Sequence, residues 1–350
     1  LILVIGVYFS CSLLIAIPFY LSNYQVTFLN SIFEAVSGLT GTGFSIFKNI
    51  KYLDPTLILW RSSSQWIGGL FFLFFLVIIF SNKSFNYKMT SLTYSGDNNF
   101  NSKENIKDNI IRIFIIYSSI SVIILTLLNI SGLRLFNSLN MTMSLTSGGG
   151  FLPSDSIKNI IETNFQKLVF IFSLLVSMLN FYLLFNIFNK KTLLKEHKED
   201  LYLLILTIIL FALIYFNNYK GLDIIASVIS SIANSGLTLV NTDNNLSLYF
   251  LLLTIIGGSL ISNTSGIKLT RFYILLKITS SEIIKLISPN SVTNRSIFSS
   301  EHKITDENIK ISFLIFISFF ISLFILSSLL VIDDIGFDRS FKISILTLTN

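Results

Sequence analysis

Long apolar runs alternate along this chain with shorter apolar stretches, and each shorter stretch ends in a small polar loop. Runs approaching the roughly 20 residues that cross a bilayer as a helix are predicted near 1–21, 55–80, 110–130, 165–188, 201–216 and 311–332. Another runs over 246–261 and continues after a break to residue 276. The stretches 27–39, 135–145, 222–233 and 337–348 are too short to cross and suit re-entrant half-helices. The order is span, half-helix, loop, span. It predicts an all-α integral-membrane protein with repeats at 1–80, 106–190 and 199–278, and a partial fourth at 308–350. Segments 81–105 and 279–307 are predicted as cytoplasmic linkers, the second carrying an amphipathic piece around 282–287.

The four loops look alike. They read Leu39-Thr40-Gly41-Thr42-Gly43-Phe44, Leu145-Thr146-Ser147-Gly148-Gly149-Gly150-Phe151, Ala233-Asn234-Ser235-Gly236-Leu237 and Leu346-Thr347-Leu348-Thr349-Asn350. Irregular backbone at membrane depth is tolerated only where it is buried in protein or lines a water-filled path. Rings of backbone carbonyls replace the hydration shell of a cation in channels. A half-helix aimed at the same point adds the partial negative charge of its C-terminus. Gly43, Gly149 and Gly236 are the expected pivots, since glycine accepts φ above zero. A single such loop reads first as a helix C-cap; the repetition reverses that and favours one ring built from one chain, suited to a hard monovalent cation.

Composition agrees with a membrane class. Hydrophobic residues make up 52% and charged residues 13% of the chain, against about 25% charged in soluble domains. The net charge of +6 follows topology rather than nucleic acid. Lys83, Lys88, Lys103, Lys107 and Arg112 cluster in one polar segment, and Lys190, Lys191, Lys195 and Lys198 in a second. Lys268, Arg271, Lys277, Lys285, Arg295, Lys303 and Lys310 lie in or beside a third. The positive-inside rule turns these toward the cytoplasm. Cys11 is the single cysteine, so a disulfide within the chain is excluded, and His197 and His302 read as solvated. The chain opens in an apolar run and stops inside its fourth loop, so it reads as a fragment cut at both ends.

Three longer motifs make a family resemblance specific. Phe33-Glu34-Ala35-Val36-Ser37-Gly38-Leu39-Thr40-Gly41-Thr42-Gly43 resembles the first pore helix and filter of the TrkH/TrkG/KtrB family of bacterial potassium-uptake subunits. Ser147-Gly148-Gly149-Gly150-Phe151 resembles its second filter, Asn234-Ser235-Gly236 its third, and Thr349-Asn350 the start of its fourth. Trp60-Arg61-Ser62-Ser63-Ser64-Gln65-Trp66-Ile67-Gly68-Gly69 is similar to the opening of the second span. The resemblance implies four unequal, pseudo-symmetric span–pore-helix–span repeats around one pore. It implies potassium contacts from Gly41, Thr42, Gly43, Gly148, Gly149, Asn234, Ser235, Gly236, Thr349 and Asn350. Gly257-Gly258-Ser259-Leu260-Ile261-Ser262-Asn263-Thr264-Ser265-Gly266-Ile267-Lys268 resembles the family's intramembrane gate loop. Gly257, Gly258, Ser259, Ser262, Asn263, Thr264 and Gly266 are its candidate functional residues, with Ile261 and Ser265 standing where glycine is expected. A small-residue patch for helix packing is the plainer alternative.

Glu34, an acid at membrane depth, is a functional candidate by default, or a partner for Arg61 at the outer mouth. Lys268 and Arg271 are expected to snorkel to the cytoplasmic interface or to be read by a soluble regulator. No nucleotide-cradling, metal-ligating or triad constellation falls within the spans, so no enzyme activity and no cofactor beyond the transported potassium are expected. The resemblance further implies a multi-pass protein of the bacterial inner membrane, forming homodimers in lipid under a cytosolic ring of nucleotide-binding subunits. A sodium-coupled or other monovalent-cation secondary transporter with broken helices is the rival.

Overall fold

The computed structural model describes residues 2–81, 106–181, 183–184, 198–215, 221–240, 244–289, 291, 295–298 and 304–349. Asn350, His197, His302, the linker beyond Ser81 with Lys83, Lys88 and Lys103, and also Lys190, Lys191, Lys195 and Lys303, lie outside the described residues. Twelve principal α-helices and no strand are found among the described residues. In chain order they are α1 Ile2–Tyr20, α2 Phe28–Thr40, α3 Pro55–Ser81, α4 Ile106–Ile130, α5 Leu135–Ser147 and α6 Asn164–Met178. Then come α7 Lys198–Tyr215, α8 Gly221–Ile232, α9 Asn244–Ile256, α10 Leu269–Ile287, α11 Asp306–Ile332 and α12 Phe337–Leu348. Among the described residues, Ile110–Ile130 and Asp306–Ile332 are apolar and long enough to cross a membrane unaided, with mean hydropathies of 2.3 and 2.8.

The short helices α2, α5, α8 and α12 begin and end for local reasons. Thr27 caps α2, its hydroxyl oxygen accepting the Asn30 amide. Gly41 and Gly148 close α2 and α5 in the left-handed conformation, the usual way a helix satisfies its last carbonyls. Within α5 the buried hydroxyls of Thr142, Thr146 and Ser147 donate to carbonyls one turn back, so these hydroxyls are buried without being orphaned as donors.

One packing scheme recurs. Each short helix lies against the long helix before it: α2 on α1, α5 on α4, α8 on α7, α12 on α11. The first three also lie against the helix that follows, α3, α6 and α9. That following helix then packs on the short helix of the next repeat, α3 on α5, α6 on α8 and α9 on α12. The close approach of α3 to its neighbours depends on small residues. A Cβ on Gly68 would lie 1.9 Å from the Leu39 carbonyl oxygen, and one on Gly69 would lie 2.9 Å from the Ser147 side chain.

Three boundaries differ from the sequence expectations. The run 165–188 is not one helix: α6 stops at Met178 and the chain turns through Leu179 and Asn180. Its freed backbone bonds to the 257–268 loop, with the Phe181 amide on the Ile261 carbonyl at 2.7 Å and the Ser259 amide on the Met178 carbonyl at 3.1 Å. The predicted linker 279–307 starts as helix, because α10 runs to Ile287. Its later part is not simply a surface segment: Ile297, Phe298 and Ile304 are buried, with the Phe298 ring stacked 4.3 Å from Tyr273.

Candidate functional site

The C-termini of α2, α5 and α8 lead into three loops that meet. A Cβ added to Gly43 would lie 3.1 Å from both Cα and N of Gly150. One added to Gly150 would lie 2.8 Å from the Ser235 carbonyl oxygen. Three segments separated by long stretches of sequence therefore touch through their backbones, where helix-terminal carbonyls gather negative potential. Gly41, Gly148 and Asn234 each adopt positive φ at the helix end, and Gly43 and Gly236 adopt it two residues later. At the end of α12, Thr349 closes the helix with φ −100° and bonds the Ile345 carbonyl through its buried hydroxyl.

Each loop is fastened from behind by a different side chain. Ser37 donates its hydroxyl to the Phe44 carbonyl at 2.6 Å. The Phe151 amide donates to Gln65 Oε1 at 3.2 Å. The amides of Leu239 and Val240 donate to Ser227 Oγ at 3.2 and 3.3 Å. Thr42 shares a 2.7 Å hydroxyl–hydroxyl bond with Thr40, and Ser235 shares one of 2.8 Å with Ser230.

Behind the first two loops lies a buried ion pair. Arg61 Nε donates to Glu34 Oε1 at 2.7 Å, and Arg61 and Glu34 side chains are 1% and 0% exposed. Glu34 also accepts the Ser45 hydroxyl at 3.0 Å and the Ile46 amide at 2.9 Å. The guanidinium lies 4.2 Å from the centre of the Phe151 ring. Glu34 is thus the bracket of the first loop, paired with Arg61 and closed off from solvent.

The segment 257–268 lies against the base of the second loop. Asn263 donates its side-chain amide to the Thr146 carbonyl at 2.7 Å, and a Cβ on Gly148 would lie 3.2 Å from the Asn263 carbonyl oxygen. Gly257 and Gly266, both at positive φ, sit back to back at the neck of the loop. Gly258 donates its amide to Thr264 Oγ1, and Ser262 and Thr264 hydroxyls bond at 2.6 Å.

Comparison with known proteins gives the same architecture. No family model matches. An uncharacterized cation transporter of Methanocaldococcus jannaschii is 30% identical over 284 residues, covering 79% of this chain and 58% of that protein. The Trk system potassium uptake protein TrkG of Escherichia coli is 27% identical over 354 residues, 93% of this chain and 70% of its own. The chain is similar to proteins of the TrkH/TrkG family. The TrkH protein of Salmonella typhimurium aligns at 23% identity over 79% of this chain and 61% of its own. The chain thus spans 58% to 70% of the length of these relatives. The crystal structure of the potassium transporter TrkH from Vibrio parahaemolyticus shares the fold, with TM-score 0.83 and 17% identity over 96% of this chain and 72% of that one.

With the TrkH/TrkG fold in view, two sequence readings need correction. Gly149 does not adopt positive φ and is not a pivot. It faces Gln65, where a Cβ would lie 2.3 Å from the side chain. Gly150 meets Gly43 instead, and the shared glycine–phenylalanine step, Gly43-Phe44 and Gly150-Phe151, was the signal for that register. Lys268 does not snorkel: it is 6% exposed and turns its amine into the loop. Glu199 and Asp200, unremarked at the start of α7, are buried against the same loop at 1% and 3% exposure. Two acids at the foot of a membrane helix were the available signal.

Proposed function

We propose that this chain forms the ion-conducting part of a potassium-uptake system in a bacterial plasma membrane. The observation that carries this reading is the close backbone approach of Gly43 to Gly150 and of Gly150 to Ser235, just beyond the ends of three half-helices. Potassium loses water at the outer mouth and binds carbonyl oxygens from the loops 41–44, 148–151 and 234–237, with the fourth set beginning at Thr349 and Asn350. It then passes the 257–268 loop, which acts as the gate. Two protomers associate, each with its own pore, and a cytosolic ring of nucleotide-binding subunits sets the gate. The recurring packing order, long helix, half-helix, long helix in one direction around the fold, favours this over a transporter with two inverted halves.

Full-length protein should restore growth of a potassium-uptake-deficient bacterium in low potassium and pass rubidium into proteoliposomes without a co-substrate. Failure of both in well-expressed protein refutes the reading. Orientation follows from the lysine-rich segments. A cysteine placed at Ser154 should react with a membrane-impermeant maleimide on intact cells, and one at Ser102 should react only after lysis. The reverse labelling overturns the direction of uptake.

A further inference from the structure

The loop between α9 and α10 is held from two sides by opposite charges. Its limbs pair at the neck, where the amides of Ile267 and Lys268 donate to the carbonyls of Ile255 and Ile256, each at 2.9 Å. On its outside lies Glu199 of α7. A single carboxylate oxygen, Glu199 Oε1, accepts the Leu260 amide at 2.9 Å and the Thr270 hydroxyl. Leu260 lies in the loop and Thr270 in the first turn of α10, so one acid fastens the loop to the helix that follows it. The neighbouring Asp200 accepts the Asn180 amide at 2.9 Å, in the break after α6 that also bonds the loop.

On the inside lies Lys268. Its ammonium donates to Ser262 Oγ at 3.1 Å, to Thr264 Oγ1 at 3.2 Å and to the Thr264 carbonyl. All three of these acceptors are oxygens of the loop itself. The backbone of Lys268 takes φ +78°, a conformation that costs a non-glycine residue of order 1–3 kcal/mol. An ammonium is a compact monovalent charge with three donors, so this oxygen cluster is shaped for a monovalent cation.

We propose that the interior of the 257–268 loop is a monovalent-cation site filled by the chain's own Lys268 ammonium, with Glu199 as the positioning residue that keeps the cluster assembled. The proposal rests on reading this loop as the gate. The tethered charge keeps the loop closed and repels a potassium ion arriving from the filter side. Removing the amine leaves the oxygens to free cations of similar size and lets the loop exchange conformations.

The test is rubidium uptake by full-length protein in proteoliposomes without any regulator, comparing wild type with Lys268→Ala, Lys268→Met, Glu199→Gln and Glu199→Ala. Elution volume and helical circular dichroism confirm folding, and the near-isosteric Lys268→Met and Glu199→Gln keep the test alive should the alanine variants misfold. Lys268→Met and Lys268→Ala should raise basal flux by about tenfold, the response to a shift of roughly 1.4 kcal/mol between two states. Millimolar methylammonium should restore the low flux of Lys268→Ala but not of Glu199→Ala, and tetramethylammonium should restore neither. Glu199→Gln keeps an acceptor oxygen and should stay within about twofold of wild type, whereas Glu199→Ala should resemble Lys268→Ala. Unchanged flux in folded Lys268→Met, or equal rescue by both amines, overturns the proposal while leaving the pore intact. No rubidium flux from any protein, wild type included, refutes the pore reading instead.

Discussion

Gly43→Val is expected to reduce potassium-over-sodium selectivity by at least about tenfold, with expression and folding retained. Two steric effects combine at this position. Gly43 sits at φ +76°, a region that a β-branched residue enters only as an outlier. Its Cβ would also lie 3.1 Å from the backbone of Gly150, so relief of the first strain pushes the first loop away from the second. Gly41 provides the comparison. It has a similar φ of +78°, but no heavy atom lies within 4 Å of the place a Cβ would take. Gly41→Ala should therefore cost only the left-handed penalty of about 1–2 kcal/mol. Gly132, with φ +92° and equally open surroundings in the turn after α4, should show the same strain on Gly132→Ala without any effect on selectivity. Bi-ionic reversal potentials of the three variants decide it. Equal rubidium-to-sodium ratios in Gly43→Val and wild type would falsify the filter assignment.

Removal of one partner of the buried ion pair is the second large effect. Arg61→Met leaves the Glu34 carboxylate fully buried with the Ser45 hydroxyl and the Ile46 amide as partners. Breaking such a pair costs about 3–5 kcal/mol, because the remaining charge has nowhere to be solvated. Glu34→Leu should be comparably harmful from the other side. The double variant should recover much of the loss, since apolar residues of similar volume often replace a buried pair without penalty. Apparent Tm in detergent measures this. Selectivity should follow a different order: Ser45 and Ile46 come directly after the first loop, so both single variants and the double variant should loosen it. Additive stability losses in the double variant would show that the pair is not the source of the effect.

The alternation of long and short helices was legible in the sequence because the length of an apolar run and the polar break that ends it are properties of contiguous residues. What escaped depends on partners far away in the chain. The break after α6 is apolar on both sides, with Met178 and Leu179 before it and Phe181 after it, so no composition signal marks it. Its cause is the pairing with Ser259 and Ile261. Three consecutive glycines hid which of them faces the other loops; only the contact of Gly150 with Gly43 distinguishes it from Gly149. Lys268 reads as an interface lysine in the sequence because it follows the loop that interrupts the span. Its inward turn follows from the positive φ and from oxygens at Ser262 and Thr264. Glu199 and Asp200 stand beside the lysine-rich segment 190–198, and their burial depends on Leu260, Thr270 and Asn180, which are distant or across a break in the chain.

The break after α6 has a consequence for how the protein is made. The Phe181 amide and the Met178 carbonyl find their backbone partners in Ile261 and Ser259, which leave the ribosome after α7, α8 and α9. Until then the second repeat holds an open amide and an open carbonyl, and in hydrocarbon each such group costs several kcal/mol. The second repeat therefore cannot reach its final form on its own, and its completion waits for the third to insert. A nascent chain arrested before residue 259 should be recognised by membrane proteases as unfinished, whereas one arrested after α10 should be long-lived.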